Sequence, residues 1–149
     1  MLKKDAKMPL KFQTQVTISF DQADPAGIMF FGEIYRCAHR AFEQFVIQAG
    51  FTWSEYFRTP DWLIPLRHSQ ADYLSPLLPG QTYQVTIYLT RLSQGTLQVQ
   101  YDFTQGSKLH AQVQTVHTYL NARTKEKTAM PEQHRQRWEQ YLISEGSST

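Results

Sequence analysis

Apolar residues along the first fifty positions follow two different periods. From Phe12 to Phe20 the run Phe-Gln-Thr-Gln-Val-Thr-Ile-Ser-Phe sets Phe12, Val16, Ile18 and Phe20 on one parity, the pattern of a half-buried strand. From about Phe31 to Ala49 the period is close to 3.6, and Ile34, Ala38, Ala41, Phe42, Phe45, Val46 and Ala49 form one stripe. Glu33, Arg36, Arg40, Glu43, Gln44 and Gln48 occupy the opposite side, so a long helix with one buried face is predicted. Gly50 stands where a left-handed residue closes a helix. Thr52 and Glu55 have capping-box spacing and open a short helix over Trp53 to Phe57, which Thr59-Pro60-Asp61 ends.

Beyond Asp61 the pattern turns to strand. Trp62 to Tyr73 reads as extended, with Pro65 marking an edge or a bulge. Tyr83, Val85, Ile87 and Leu89 alternate with polar partners, and Leu97, Val99, Tyr101 and Phe103 do the same. A long strand is expected over about Leu109 to Asn121, and Pro131 suits the start of a terminal helix carrying Trp138, Tyr141 and Leu142. Turns at 76–80, 93–95 and 106–107 join consecutive strands, which makes an antiparallel meander. One helix cannot cover both faces of such a sheet. The expected class is α+β: a curved antiparallel sheet wrapped around one long central helix, in a single domain over 1–149 with loose ends at 1–10 and 144–149. Leftover edges favour a homodimer or homotetramer.

Composition narrows the chemistry. The chain is 41% hydrophobic, which excludes disorder, and its net charge of +2 is too small to argue for nucleic acid. Lys3, Lys4, Lys7 and Lys11 read as a solvated arm. A single cysteine, Cys37, excludes an intrachain disulfide framework and fits a reducing cytoplasm, where it packs as a small apolar residue. No apolar run reaches the roughly 18 residues of a membrane span, and no secretory leader is seen. Metal spacing, a Gly-x-Ser-x-Gly elbow and a phosphate loop are all missing, so neither metal nor resident cofactor is expected. His110 and His117 are assigned to opposite faces of their strand by alternation.

Between the first strand and the long helix lies Asp24-Pro25-Ala26-Gly27. By turn chemistry alone this is a type I turn, since Asp and Pro favour its first two positions. A carboxylate there also sits near a helix start, where unpaired N–H groups gather. The run Phe20 to Phe31 around this turn resembles the strand–turn–helix signature of hotdog-fold acyl-CoA thioesterases, of the 4-hydroxybenzoyl-CoA thioesterase family. Cys37 to Glu43 is similar to the helix of its 1,4-dihydroxy-2-naphthoyl-CoA thioesterase branch. Ile64 to Tyr73, with Pro76 and Gly80, is similar to the family's second-strand segment.

The resemblance implies a hotdog fold and hydrolysis of an acyl-CoA, aryl by branch, to free acid and CoA. Asp24 becomes the catalytic carboxylate, as nucleophile or as general base. The backbone N–H of Phe31 becomes the donor that holds the thioester carbonyl. The family commonly has Tyr or His at that position, so only a backbone role carries over to Phe31. Gly80-Gln81 departs from a frequent Gly-Asp in the same way. Gly27 would let the backbone approach the ligand. Phe30 and Phe31 shape an acyl pocket or belong to the core, Trp62 to the core. His68 either bonds substrate or is a satisfied strand histidine, and Glu43 is a supporting carboxylate or a helix-face residue beside His39. Asp21 reads as a strand-end cap. Arg91 and Lys108 are candidates for the CoA phosphates. Coenzyme A enters only as part of the substrate. An acyl-carrier-protein thioester substrate, and a non-catalytic acyl-binding module of the same fold, are the alternatives.

Overall fold

Alternation in the second half of the chain becomes a five-stranded antiparallel sheet in the order β1-β4-β5-β6-β3. Its strands are β1 (Phe12–Thr17), β3 (Leu66–Tyr73), β4 (Thr82–Leu92), β5 (Thr96–Gln105) and β6 (Lys108–Thr118). The other elements are α1 (Glu33–Gln48), α2 (Trp53–Phe57), β2 (Trp62–Leu63), β7 (Leu120–Asn121) and α3 (Glu132–Glu139). The structure is a computed structural model and describes residues 8–143. The expected loose ends at 1–7 and 144–149, with Lys3, Lys4 and Lys7, lie outside the described residues. Residue 10 departs from that expectation, because the Leu10 N–H donates to Gln140 O at 2.8 Å.

The stripe read from the sequence is the one that α1 buries. Ile34, Cys37, Ala38, Ala41, Phe42, Phe45 and Val46 meet Val85, Ile87, Leu97, Val99, Phe103 and Val113 from the sheet. Each large side chain so buried contributes about 1.5–3 kcal/mol. This is the hotdog arrangement, a sheet laid along one central helix. The helix ends as predicted. Gly50 takes φ +112°, and its N–H donates to Ile47 O while Phe51 N–H donates to Val46 O, the paired bonds of a Schellman cap. Thr52 Oγ1 accepts from Glu55 N–H, and Glu55 Oε2 accepts from Thr52 N–H, so the capping box forms. Behind this end of α1, α3 places the fully buried Trp138 against Phe45 and Phe51.

Three expectations are corrected. The segment from Trp62 to Tyr73 is two strands in two sheets, because the chain breaks at Ile64-Pro65. There β2 pairs with β7, and β3 pairs with β6. The long last strand likewise ends at Thr118. Buried Tyr119 bonds backward to Gly95 and Thr128 instead, which turns the chain into β7. His110 and His117 are not split between two faces. A bulge opposite Phe103/Thr104 rotates His110 inward against Tyr83, at 4.9 Å between ring centroids. Trp62 is half-buried against Tyr119 and His134, close to the core role expected for it.

Candidate active site

The turn after β1 is built from local hydrogen bonds. Ser19 and Gln22 form a capping box, and Ser19 Oγ donates to Asp21 Oδ1 at 2.6 Å, the strand-end role expected of Asp21. The chain then folds into a small hairpin in which Ala23 pairs with Met29. Gly27 N–H donates to Asp24 O (2.9 Å), and Asp24 N–H donates to Ile28 O (2.8 Å). Gly27 adopts φ +82°, a left-handed conformation that a β-carbon would strain. Its role is therefore in the turn, and its own atoms do not line the cleft beside it.

Asp24 is half-buried. Its Oδ1 accepts from Ala26 N–H at 2.8 Å, while Oδ2 makes no hydrogen bond among the described residues. No ion pair among those residues involves it. Asp24 lines a cleft of ≈ 330 Å³ together with Ile28, Met29, Phe31, Tyr73 and Pro76, among others. From Phe31, which also lines this cleft, the backbone runs toward α1 with two amides to spare. Phe30 N–H donates to Gln22 O and Glu33 N–H to Phe30 O, yet Phe31 N–H and Gly32 N–H find no backbone acceptor among the described residues. They precede a 16-residue helix whose dipole adds positive potential at this end.

Two residues hold these amides in place. Gln22 Nε2 donates to Glu33 Oε1 at 3.0 Å and ties the turn to the first residue of α1. Tyr73, at the end of β3, donates its hydroxyl to Phe31 O and fixes the peptide that carries Gly32 N–H. Burial, with Tyr35 nearby, raises the Tyr73 pKa, so this phenol stays a donor. The Ser19-x-x-Gln22 spacing could have pointed to Gln22. Nothing local in the sequence points to Tyr73, which lies 42 positions from its acceptor.

Other expected site residues are not gathered here. Phe30 is exposed and packs its ring on Phe31 at 4.7 Å, forming an outer lip. Glu43 pairs with His39 at 3.2 Å farther along α1, as a helix-face residue. His68 lies exposed on β3 beside Gln70 (3.0 Å), on the parity opposite Ala71 and Tyr73, and so on the sheet face turned from α1. Arg91 and Lys108 are exposed at strand ends and line no part of this cleft. Cys37 is buried, and burial raises its thiol pKa. Among the described residues, no three His, Cys, Asp or Glu side chains gather to hold a metal, and no helix is long and apolar enough to cross a membrane.

A half-buried turn carboxylate and a spare backbone amide at the head of a sheet-wrapped helix are groups that acyl transfer can use. A family model for the thioesterase-like superfamily matches residues 18–138, from the end of β1 to α3. The chain belongs to this superfamily. A 1,4-dihydroxy-2-naphthoyl-CoA hydrolase of Prochlorococcus marinus (strain MIT 9303) is 30% identical over 122 residues, covering 77% of this chain and 81% of that protein. A protein of the same name from Synechococcus elongatus is 27% identical, covering 81% and 90%. Among solved structures, the 1,4-dihydroxy-2-naphthoyl-CoA thioesterase of Synechocystis superposes with TM-score 0.78 at 21% identity, covering 85% of this chain and 94% of that one. At that identity the superposition speaks for the thioesterase-like fold.

Proposed function

We propose that this protein hydrolyses aryl acyl-CoA thioesters to free acid and CoA, with Asp24 as the catalytic carboxylate. One observation carries the reading: Asp24, with one carboxylate oxygen unpaired, and Phe31, with its N–H unpaired, line one cleft. Two routes fit this pair. Asp24 attacks the carbonyl, expels CoA thiolate and forms a mixed anhydride that water opens. Alternatively, Asp24 takes a proton from water, and the resulting hydroxide attacks. Both pass through an oxyanion that Phe31 N–H meets, and a donor of this kind is worth about 3–4 kcal/mol of barrier. Water and the two protein groups balance the reaction without a resident cofactor. The curated relatives named for a naphthoyl-CoA favour an aryl acyl group.

The working form is a homodimer made through β3. This strand is an edge of the sheet, all but Ala71 of its eight residues are exposed, and Arg67 and Asp72 are its charges. Leu74 N–H donates to His110 O, so by alternation the N–H groups of Ser69, Ala71 and Tyr73 point away from β6 toward a second copy. Antiparallel pairing about the strand centre sets the Tyr73 end of one copy beside the Leu66 end of the other. The free, buried Cys37 thiol favours the cytoplasm as the place of work.

Release of free thiol from benzoyl-CoA, naphthoyl-CoA and fatty acyl-CoAs tests the activity. Asp24→Asn is expected to lower turnover by about 10²–10⁴-fold with an unchanged circular dichroism melt. Equal rates in variant and wild type would remove Asp24 from the mechanism. A wild type inert on every thioester in the panel would make the chain an acyl-binding module.

A further inference from the structure

Three hydrogen bonds close a ring around the spare amides. Gln22 O accepts from Phe30 N–H (2.7 Å), Phe30 O accepts from Glu33 N–H (2.9 Å), and Gln22 Nε2 donates to Glu33 Oε1 (3.0 Å). Phe31 and Gly32 are the residues inside the ring. They stand in the middle of the turn that Phe30 and Glu33 close. The bond closing such a turn uses only the carbonyl of its first residue and the N–H of its fourth, so the central N–H groups stay free. Only the Gln22–Glu33 bond is made by side chains, and it joins the turn directly to the head of α1.

Gln22 is fitted to that link. It is 8% exposed, and its Oε1 accepts from Ser19 N–H at 2.9 Å. An ionised Glu33 carboxylate can only accept, so both ends fix which way the Gln22 amide faces. The second hydrogen of Nε2 is directed at buried Cys37 Sγ, 3.8 Å away. Glu33 Oε1 is held from its other side by Arg36 Nε at 3.3 Å. Ser19 follows Ile18, whose N–H donates to Gln81 O and whose carbonyl accepts from Gly80 N–H, so the ring is tied back to the start of β4. Neither Gln22 nor Glu33 lines the Asp24 cleft. They reach it only through the residues they enclose.

We propose that Gln22 is a positioning residue for thioester hydrolysis: its carboxamide, bonded to Glu33, holds Phe31 N–H in the direction that meets the oxyanion. This rests on the thioesterase reading above, in which that N–H is the donor. The alignment matters most where negative charge develops on the carbonyl oxygen, so its loss falls on kcat and spares KM.

Steady-state thiol release from the same acyl-CoA panel provides the test. Gln22→Met keeps the length of the side chain and removes its hydrogen bonds; kcat should fall about 10–100-fold with KM within about twofold of wild type. Glu33→Ala breaks the same bond from its partly exposed end and should give the same split, which serves if Gln22→Met does not fold. Gln22→Glu, assayed at about pH 8, well above the usual carboxylate range, opposes two carboxylates and should be at least as slow. Adding Glu33→Gln exchanges acceptor and donor across the contact and should restore kcat to within about threefold of wild type. Unchanged kcat in either folded single variant, a loss carried by KM, or a double variant no faster than Gln22→Glu overturns the proposal. A wild type inert on the whole panel sinks the hydrolase reading instead, and nitrogen-15 relaxation then judges the clamp alone. Phe31 and Gly32 amides as ordered as those of α1 in wild type, and looser in Glu33→Ala, support it; equal order in both proteins overturns it.

Discussion

The backbone bonds that hold Asp24 in its turn also leave one carboxylate oxygen unused, so the turn reading and the catalytic reading describe the same geometry. Phe31 is similar, since its side chain is largely exposed and its N–H, the donor of the proposed mechanism, has no backbone acceptor among the described residues. Tyr73 governs where the neighbouring amide points, by holding Phe31 O. Removing its hydroxyl frees that peptide to rotate and leaves the ring that lines the cleft. Tyr73→Phe should lower kcat about tenfold with KM nearly unchanged, measured by steady-state thiol release. A proportional rise in KM would assign Tyr73 to substrate binding instead. The turn around Asp24 was legible from contiguous Asp-Pro-Ala-Gly chemistry, whereas the roles of Asp24 and Phe31 were expected only from the resemblance of the run that contains them. The place of Tyr73 was not legible, because its acceptor Phe31 O lies 42 positions away and only the fold brings them together.

At the scale of elements, β3 is the exposed edge strand on which the proposed dimer rests. Its N–H groups at 69, 71 and 73 face outward, so proline at one of them removes a donor to a second copy without removing one to β6. Ser69→Pro is expected to shift the protein from dimer toward monomer by light scattering, with a loss of melting temperature no greater than a few degrees. A variant that stays dimeric would place the interface elsewhere. Periodicity foretold α1, β4 and β5 because each buries one face along its whole length, and the Thr52–Glu55 box foretold α2 from local bonding alone. The breaks at Pro65 and Tyr119 were harder. Apolar residues continue through both points, and only pairing with a different sheet separates β2 from β3 and β6 from β7. Of the two readings of His68, its place is that of the strand histidine: the irregularity between Leu66 and His68, together with strand alternation, sends it to the outer face.

Over the whole molecule, two histidines make stability depend on pH. Burial pushes His117 down to about 3, with His39 adding to the effect, and it pushes His134 down to about 4, with Arg137 adding to it there. Both stand near 6.5 in the unfolded chain. As pH falls below that value the unfolded state takes up protons that the folded state refuses, so their contribution, full above about pH 6.5, is lost progressively toward pH 4 and below. Thermal melts should be flat from pH 7 to 8 and fall steadily between pH 6.5 and 4. A melting temperature constant across that acid range would mean that these rings charge freely in the folded state. Tyr73 stands at once on the exposed edge strand and against the Phe31 carbonyl. If two copies pair along β3, as proposed, dilution that parts them removes the support beside Tyr73 while its bond to Phe31 O, made within one chain, can persist; turnover per chain should then decline below the dissociation constant, where a self-sufficient monomer would keep its specific activity.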